Sequence, residues 1–225
     1  MTEVCVGDLI VAEIFRSIQG ESTYSGKPCL FVRLAGCNLK CRYCDAVYAR
    51  DGESNEHLRL TLDEIVSRCD PGRNKIICIT GGEPLLQPGI YALMQRLIER
   101  NVSVLLETNG SLDVSQVPRE VVKVMDVKCP GSEMEAMNRY ENLSLLTVDD
   151  QLKFVLTSRG DFDFALRVVD EYNLDSLHGP EILLSAAVPF CLHEKLAEWL
   201  LESGKNWRLQ VQLHKVIWPG RERGV

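Results

Sequence analysis

Three cysteines in one short stretch carry the clearest chemical signal in this sequence. Cys37, Cys41 and Cys44 lie within eight residues of one another, at C-x3-C-x2-C spacing. Thiolates are soft ligands that suit iron–sulfur clusters, zinc and copper(I), and so short a loop can direct all three sulfurs to one face of a metal centre. Because a 4Fe–4S cluster commonly takes four cysteines, three would leave one iron free to bind a small molecule.

Two other interpretations of these cysteines stay open on the residues alone. A structural zinc site normally has four protein ligands, and the neighbouring residues offer no obvious fourth, although a distant cysteine such as Cys29 could serve. Alternatively, the three thiols could be buried structural groups, since a free cysteine packs as a small hydrophobe. Both interpretations rank below the cluster.

Composition and charge limit the classes of protein to which the chain can belong. Its 225 residues, 45% apolar and 25% charged, are typical of a globular protein and predict one domain, residues 1–225. No apolar run reaches the roughly 18 residues of a membrane helix, so we expect no membrane partner. A net charge of −7 argues against nucleic-acid binding. Nine cysteines, with no signal-peptide pattern at the N-terminus, predict a cytoplasmic protein.

Short apolar runs alternate with amphipathic segments along the chain. The apolar runs predict strands over residues 29–34, 75–80, 102–106, 121–127, 152–156, 181–188 and 208–213. Helices are predicted from the N-cap Thr61 to residue 69 and over residues 88–100, 161–172 and 192–202. Such alternation implies parallel βαβ units, with too few strands for a closed eight-stranded barrel. We therefore predict an α/β fold, a partial, open (β/α) barrel of six or seven mostly parallel strands.

Polar clusters follow several predicted strands, where ligands gather in parallel α/β folds. Thr80-Gly81-Gly82-Glu83-Pro84 follows one strand, Glu107-Thr108-Asn109-Gly110 the next, and Lys128 the one after. Paired glycines let backbone amides approach a ligand, and Glu83 can accept hydrogen bonds from an ammonium group. Each cluster could instead be an ordinary polar turn or a surface lysine.

The cysteine loop, with Tyr43 before the third cysteine, and the Gly-Gly-Glu-Pro stretch together resemble the radical S-adenosylmethionine (SAM) superfamily. The resemblance implies a 4Fe–4S cluster on Cys37, Cys41 and Cys44 whose open iron is chelated by SAM. Reductive cleavage of SAM would then give a 5′-deoxyadenosyl radical that abstracts a substrate hydrogen. The SAM contacts that it implies are Tyr43, Cys44, Asp45, Gly82, Glu83, Asn109, Asp126, Val127, Lys128 and Ser185.

A second set of motifs narrows the resemblance. Ile18-Gln19-Gly20-Glu21, Arg33, and the C-terminal segments 212–218 and 221–225 are similar to those of the 7-carboxy-7-deazaguanine synthases of queuosine and other 7-deazapurine biosynthesis. These lyases convert 6-carboxy-5,6,7,8-tetrahydropterin to 7-carboxy-7-deazaguanine with loss of ammonia. The expected substrate-binding residues are Ile18, Gln19, Gly20, Glu21, Arg33, Thr80, His214 on the last strand, and the Val225 carboxylate.

Elementary chemistry agrees with two of these assignments. The amide of Gln19 carries both a donor and an acceptor, as does the amide and amino edge of a pterin. The guanidinium of Arg33 matches a carboxylate in a bidentate fashion. For His214 the competing interpretation is an ordinary core or surface imidazole.

One residue departs from the synthase pattern. The residue after the Cys-Asp pair is typically Thr or Ser in these enzymes, and its hydroxyl helps to hold a magnesium ion that bridges to the substrate. Here it is Ala46, which has no side-chain oxygen, so Mg²⁺ could bind only through Asp45, substrate and water. The resemblance further implies a homodimer and an electron donor such as flavodoxin or ferredoxin.

Two alternative functions stay open at this level. A glycyl-radical activating enzyme, which acts on a partner protein, shares the short chain, the cysteine spacing and the Gly-Gly-Glu-Pro motif, but would need an open cleft. A non-catalytic metal-binding module would need neither that motif nor a polar group at the end of each strand.

Overall fold

A single nine-stranded sheet forms the framework of the protein. The computed structural model describes residues 7–52 and 54–225, so Cys5 and the N-terminal residues that argued against a signal peptide lie outside the described part. The strands are β1 Leu9–Ile18, β2 Pro28–Leu34, β3 Leu58–Leu60, β4 Ile76–Gly81, β5 Ser103–Thr108, β6 Val122–Val127, β7 Gln151–Leu156, β8 Glu181–Ala186 and β9 Arg208–Gln210. Their order across the sheet is β3-β1-β2-β4-β5-β6-β7-β8-β9, with β3 and β9 at the two edges.

The parallel part of the sheet contains the number of strands that the sequence predicts. Seven strands, β2 and β4 to β9, pair in parallel. The predicted partial, open barrel is confirmed. The sequence did not predict the other two strands, β1 and β3. β1 pairs antiparallel with both β2 and β3. Leu9 and Val11 at the start of β1 pack in the core, whereas Ile18 at its end lines the cavity described below.

Four helices cover the outer face of the sheet, and a fifth, short one lies elsewhere. The four are α1 Leu62–Cys69, α2 Ile90–Ile98, α3 Arg159–Glu171 and α4 His193–Ser203, and the fifth is α5 Leu213–Ile217. The predicted capping box of α1 is present: Thr61 Oγ1 accepts a hydrogen bond from the amide of Glu64 at 3.2 Å, and the Glu64 carboxylate accepts one from the Thr61 amide at 2.8 Å. None of the helices within residues 7–52 and 54–225 is long and apolar enough to cross a membrane.

Strand pairing aligns polar residues on the inner face of the sheet. Arg33 of β2 is the Cα partner of Glu13 on β1 and of Thr80 on β4. Asp126 of β6 is the partner of Lys153 on β7. Because side chains alternate between the two faces of a strand, the apolar neighbours of these residues fill the core below the helices. The sheet therefore holds a row of charged groups inside the barrel.

The strand predicted over residues 208–213 is shorter in the structure. β9 ends at Gln210, and residues Leu213–Ile217 form the short helix α5, so His214 lies on a helix and not on the closing strand. The amide of Leu213 donates to the carbonyl oxygen of Gly20 at 3.1 Å. Leu213 thus bonds to the loop after β1 and not to strand β8. The chain consequently turns across the open end of the barrel.

Candidate active site

One cavity of about 530 Å³ opens at the carboxyl ends of the parallel strands, within the usual range for small-molecule sites. It brings together the three loop cysteines and all eight residues expected at the substrate: Ile18, Gln19, Gly20, Glu21, Arg33, Thr80, His214 and Val225. Of the residues expected at SAM, those in its lining are Tyr43, Cys44, Asp45, Gly82, Asn109, Asp126 and Lys128.

The cysteine loop is held by backbone hydrogen bonds outside the cavity. The amides of Gly36 and Cys37 donate to the carbonyl oxygens of Ala49 and Arg50, at 2.9 and 3.0 Å. The amide of Leu39 donates to Cys37 Sγ at 3.4 Å. Burial raises the pKa of the Cys37 and Cys41 thiols, so the protein alone does not favour their thiolates. A bound metal must therefore displace these protons.

The Gly81-Gly82 pair allows strand β4 to approach this loop closely. A Cβ atom on Gly82 would lie 2.1 Å from the carbonyl oxygen of Gly36 and 2.8 Å from Cys37 Cβ. Gly81 has φ of +149°, which side chains rarely allow, and a Cβ there would meet the backbone of Leu34 at 2.2 Å. Glycine is required at both positions because backbone, and not a movable side chain, fills the space.

We expect Gly82→Ala to lower the free energy of unfolding by about 1–3 kcal/mol and to reduce the iron bound per chain, because the added methyl group pushes the cysteine loop away. The control is Gly72→Ala, whose Cβ would meet its nearest atom at 3.7 Å. Urea unfolding and iron analysis after anaerobic reconstitution measure the two effects. Equal iron content in the two variants would contradict the prediction.

A hydrogen-bonded trio occupies the inner face beside the loop after β1. Gln19 Nε2 donates to Glu107 Oε1 at 3.2 Å, and Thr80 Oγ1 donates to Glu107 Oε2 at 2.8 Å. Gln19 Oε1 accepts from the amide of Glu21 at 3.1 Å. The trio thus presents a carboxylate, a hydroxyl and a carboxamide to the cavity, in an arrangement fixed by three different strands and loops.

Lys153 lies between two carboxylates on the floor of the cavity. Its Nζ is 2.9 Å from Glu21 Oε2 and 3.2 Å from Asp126 Oδ1, while Lys128 Nζ is 2.5 Å from Asp126 Oδ2. Burial alone would raise the pKa of Glu21 and of Asp126, but the adjacent lysines outweigh it and hold both carboxyl pKa values below their usual range. All four groups are therefore charged at neutral pH.

Arg33 and the C-terminal residues meet at Glu13. Arg33 Nε lies 3.3 Å from Glu13 Oε1, and the hydroxyl of Tyr48 donates to the same oxygen. The amide of Gly224 donates to Glu13 Oε2 at 3.2 Å, and the guanidinium of Arg223 stacks 4.4 Å from the Tyr48 ring centroid. The end of the chain thus folds over the cavity mouth next to Arg33.

His214 packs directly on the loop after β1. A Cβ on Gly20 would lie 2.4 Å from His214 Nδ1. The imidazole therefore leaves no space for a residue larger than glycine at position 20. Burial lowers the pKa of His214 below its usual value of about 6.5, and the nearby carboxylates of Glu21 and Asp45 only partly oppose this. The ring is therefore neutral at pH 7 and can both donate and accept a hydrogen bond.

Three residues expected at SAM lie outside the cavity lining. Glu83 is fully buried, and its carboxylate accepts from the hydroxyl of Thr108 at 2.9 Å and from the amide of Asn109 at 2.7 Å. It therefore positions the Asn109 turn and leaves cavity contact to the motif's glycines. The Ser185 hydroxyl accepts a hydrogen bond from Gln210 Nε2 at 3.0 Å. Val127 packs in the apolar core, because its side chain points to the face of β6 opposite to that of Asp126.

The comparisons with known proteins decide the family. The model of the radical SAM superfamily matches residues 32–174. A 7-carboxy-7-deazaguanine synthase of Koribacter versatilis is 40% identical over 96% of this chain and 99% of its own length. That of Chlorobaculum tepidum is 38% identical over 96% and 97%. This chain belongs to the 7-carboxy-7-deazaguanine synthase family.

Two solved structures share the fold of this chain. QueE from Escherichia coli superposes with a TM-score of 0.68 at 20% identity, covering 91% of this chain and 94% of that one. SuiB from Streptococcus suis, solved with bound S-adenosylmethionine, gives 0.55 at 14% identity, covering 81% of this chain and 50% of its own. Membership of the radical SAM superfamily implies a 4Fe–4S cluster and SAM as the cofactors.

The cysteine loop of the synthase fits a cluster better than it fits zinc. Within residues 7–52 and 54–225, no three His, Cys, Asp or Glu side chains converge on one point as a single metal ion requires. In a 4Fe–4S cluster each thiolate binds a different iron, so the three sulfurs need only face one cavity, and all three do. Cys29, the candidate fourth zinc ligand, is buried on β2 and donates to the backbone of Leu30.

Sequence reasoning missed several residues of the synthase cavity. Lys153 stands between apolar neighbours in a strand that is otherwise core, and a lone charge in such a run is the signal that could have revealed it. Glu13, which is outside the lining but pairs with Arg33, lies on strand β1, which the sequence did not predict. Gln212 falls within the predicted strand 208–213 and Lys215 lies two residues beyond it, so the sequence gives no signal that both side chains approach Asp45.

Proposed function

We propose that this chain converts 6-carboxy-5,6,7,8-tetrahydropterin to 7-carboxy-7-deazaguanine with loss of ammonia, as its family name implies. The observation that carries the proposal is the composition of the cavity beyond the cysteine loop. Arg33 offers a cation for a carboxylate, and the trio of Gln19, Thr80 and Glu107 offers hydrogen-bonding groups for a polar heterocycle.

The site residues would act by binding and orientation. Cys37, Cys41 and Cys44 would hold the cluster, which together with SAM would supply the radical chemistry for hydrogen abstraction. Glu107 can accept hydrogen bonds from the amino-pyrimidine edge of the pterin, and Gln19 can contact its amide. Bidentate pairing of the substrate carboxylate with Arg33 would fix the ring relative to the cysteine loop. Each contact lowers the freedom of the substrate before the reaction.

The C-terminal residues support a closed site for a small molecule. The amide of Gly224 donates to Glu13 at 3.2 Å and Arg223 pairs with Glu56 at 3.0 Å, and Val225 lines the cavity. A closed site excludes water and other hydrogen donors from a reactive radical. A glycyl-radical activating enzyme must admit a segment of a partner protein, so this closure disfavours that alternative.

Several broader expectations belong to the same proposal. We propose a single domain over residues 1–225, a cytoplasmic homodimer that binds no nucleic acid, and a flavodoxin or ferredoxin as the electron donor. The free cysteines support a reducing compartment, and the net charge of −7 opposes binding to polyanions.

Anaerobic reconstitution tests the proposed reaction. Protein with a full cluster, supplied with SAM, dithionite and carboxytetrahydropterin, should release the deazapurine and ammonia. SAM cleavage without a deazapurine product would refute the proposed substrate. A stable complex with a glycyl-radical protein, together with that result, would favour the activating enzyme.

Arg33→Gln should weaken substrate binding about 10- to 150-fold, because a hydrogen bond to a charged partner contributes about 1.5–3 kcal/mol. Arg16→Gln, at an exposed position of β1, is the matched control and should bind as the unmodified protein does. Calorimetry with 6-carboxypterin, a stable oxidised analogue, measures the affinity without turnover. Binding of the analogue by Arg33→Gln within twofold of the control would contradict the assignment.

A further inference from the structure

The turn at Asp45 and Ala46 does not fit a magnesium ion. Magnesium requires an octahedral shell of oxygen ligands, whereas Ala46 presents only a methyl group to the cavity. Asp45 is the one carboxylate of this turn, and among the described residues no three metal-ligating side chains surround a common point. This turn therefore offers a divalent cation one carboxylate and lacks the side-chain hydroxyl that the synthase pattern implies.

A protein cation already occupies the position beside Asp45. Lys215 Nζ lies 3.1 Å from Asp45 Oδ2 and 2.5 Å from Gln212 Oε1. Gln212 Nε2 in turn donates to Glu21 Oε1 at 2.5 Å and reaches Asp45 Oδ2 at 3.4 Å. Two acceptors thus hold the ammonium group in place, and all four side chains line the cavity.

The short helix α5 determines where this ammonium group lies. The amide of Leu213 donates to the carbonyl oxygen of Gly20, and the amide of Lys215 donates to the carbonyl oxygen of Gln212 at 3.0 Å. The side chain of Lys215 is 49% exposed, so one face of its ammonium group stays open to a ligand. An ammonium group has three donors, and Asp45 and Gln212 use two of them.

We propose that the ammonium group of Lys215 replaces the magnesium ion of the family, binding an anionic oxygen of the substrate, so that this enzyme works without a divalent cation. The proposal rests on the proposed function for the identity of the substrate. A lysine supplies a compact, strongly hydrated positive charge without any demand for octahedral geometry. A divalent ion brought to Asp45 would have to displace or repel that charge, so the two cannot share one carboxylate.

Direct metal binding provides the first test, and it needs no turnover. Titration of the protein with Mn²⁺ as a magnesium analogue, followed by the EPR signal of the free ion, should show no site at millimolar metal, with or without 6-carboxypterin. Ala46→Thr combined with Lys215→Met restores the hydroxyl and removes the ammonium group, and should create one Mn²⁺ site. A stoichiometric site at Asp45 in the unmodified protein would overturn the proposal.

Ligand affinity provides the second test. Lys215→Met should weaken 6-carboxypterin binding by roughly tenfold or more in EDTA, whereas Lys195→Met, which removes a similarly exposed lysine paired with Glu198 on α4, should not. Far-ultraviolet circular dichroism of both variants checks that they are folded. Unchanged affinity in a folded Lys215→Met variant would contradict the role of this lysine.

Turnover separates this proposal from the proposed function. The unmodified enzyme should release deazapurine at the same rate in EDTA and in Mg²⁺, and the double variant should become dependent on Mg²⁺. Loss of the unmodified enzyme's activity in EDTA would overturn the metal independence while leaving the reaction intact. Failure of pterin chemistry in both conditions would refute the proposed function, and the Mn²⁺ result would still decide whether Lys215 excludes the ion.

Discussion

Cys41→Ala is expected to yield a colourless protein that does not cleave SAM. Two thiolates cannot hold a cluster whose open iron must also bind SAM, and no spare cysteine lines the cavity in the described chain. The three loop thiols act as one unit, so we expect the same complete loss from any one of them. Visible absorption, iron content and 5′-deoxyadenosine release after anaerobic reconstitution are the measurements.

Cys69→Ala is the matched control for this variant. Cys69 is a fully buried thiol at the end of α1, where the chain leads into the amino end of β4 and away from the cavity. Burial raises its pKa to about 12, so it is an unreactive core group. This variant should keep its cluster and its activity with a modest loss of stability. A brown, SAM-cleaving Cys41→Ala protein would contradict the assignment of the loop.

Lys153→Met should have the largest effect on stability. The substitution removes the cation between Glu21 and Asp126 and leaves both carboxylates charged inside the barrel. Breaking a buried pair costs about 3–5 kcal/mol, and we expect about 3 kcal/mol because Asp126 keeps Lys128 and Glu21 keeps Gln212. Urea unfolding should show a lower midpoint at an unchanged denaturant slope.

Two further variants make this result specific. Lys205 also lies between two carboxylates, Asp170 and Asp175, but at the surface, so Lys205→Met should cost no more than about 1 kcal/mol. Adding Asp126→Asn to Lys153→Met removes one of the unpaired charges and should restore part of the lost stability. Equal losses in the free energy of unfolding from Lys153→Met and Lys205→Met would contradict the prediction that burial makes the Lys153 network the more important of the two.

The fold was predictable where a local pattern carried it. The Thr61–Glu64 capping box and the apolar runs of the parallel strands lead directly to elements that the structure contains, because caps and burial act over a few residues. Strand β1 was missed since its alternation is broken by a register shift between Val11 and Glu13. The predicted last strand runs past Gln210, where β9 ends, because the chain turns there to bond with a residue distant in sequence. The amide of Leu213 donates to the carbonyl oxygen of Gly20.

The sequence alone favoured the cluster chemistry: three thiols in eight residues and a paired-glycine turn indicate a cluster loop, since their spacing is local. Only the tertiary structure decided which charges face one another. Lys153 meets Glu21 across 132 positions, and Lys215 meets Asp45 across 170. Such pairs arise from sheet register and from the path of the C-terminal residues, for which no short stretch of sequence carries a signal. The charge balance of the cavity therefore emerges only when the barrel is folded.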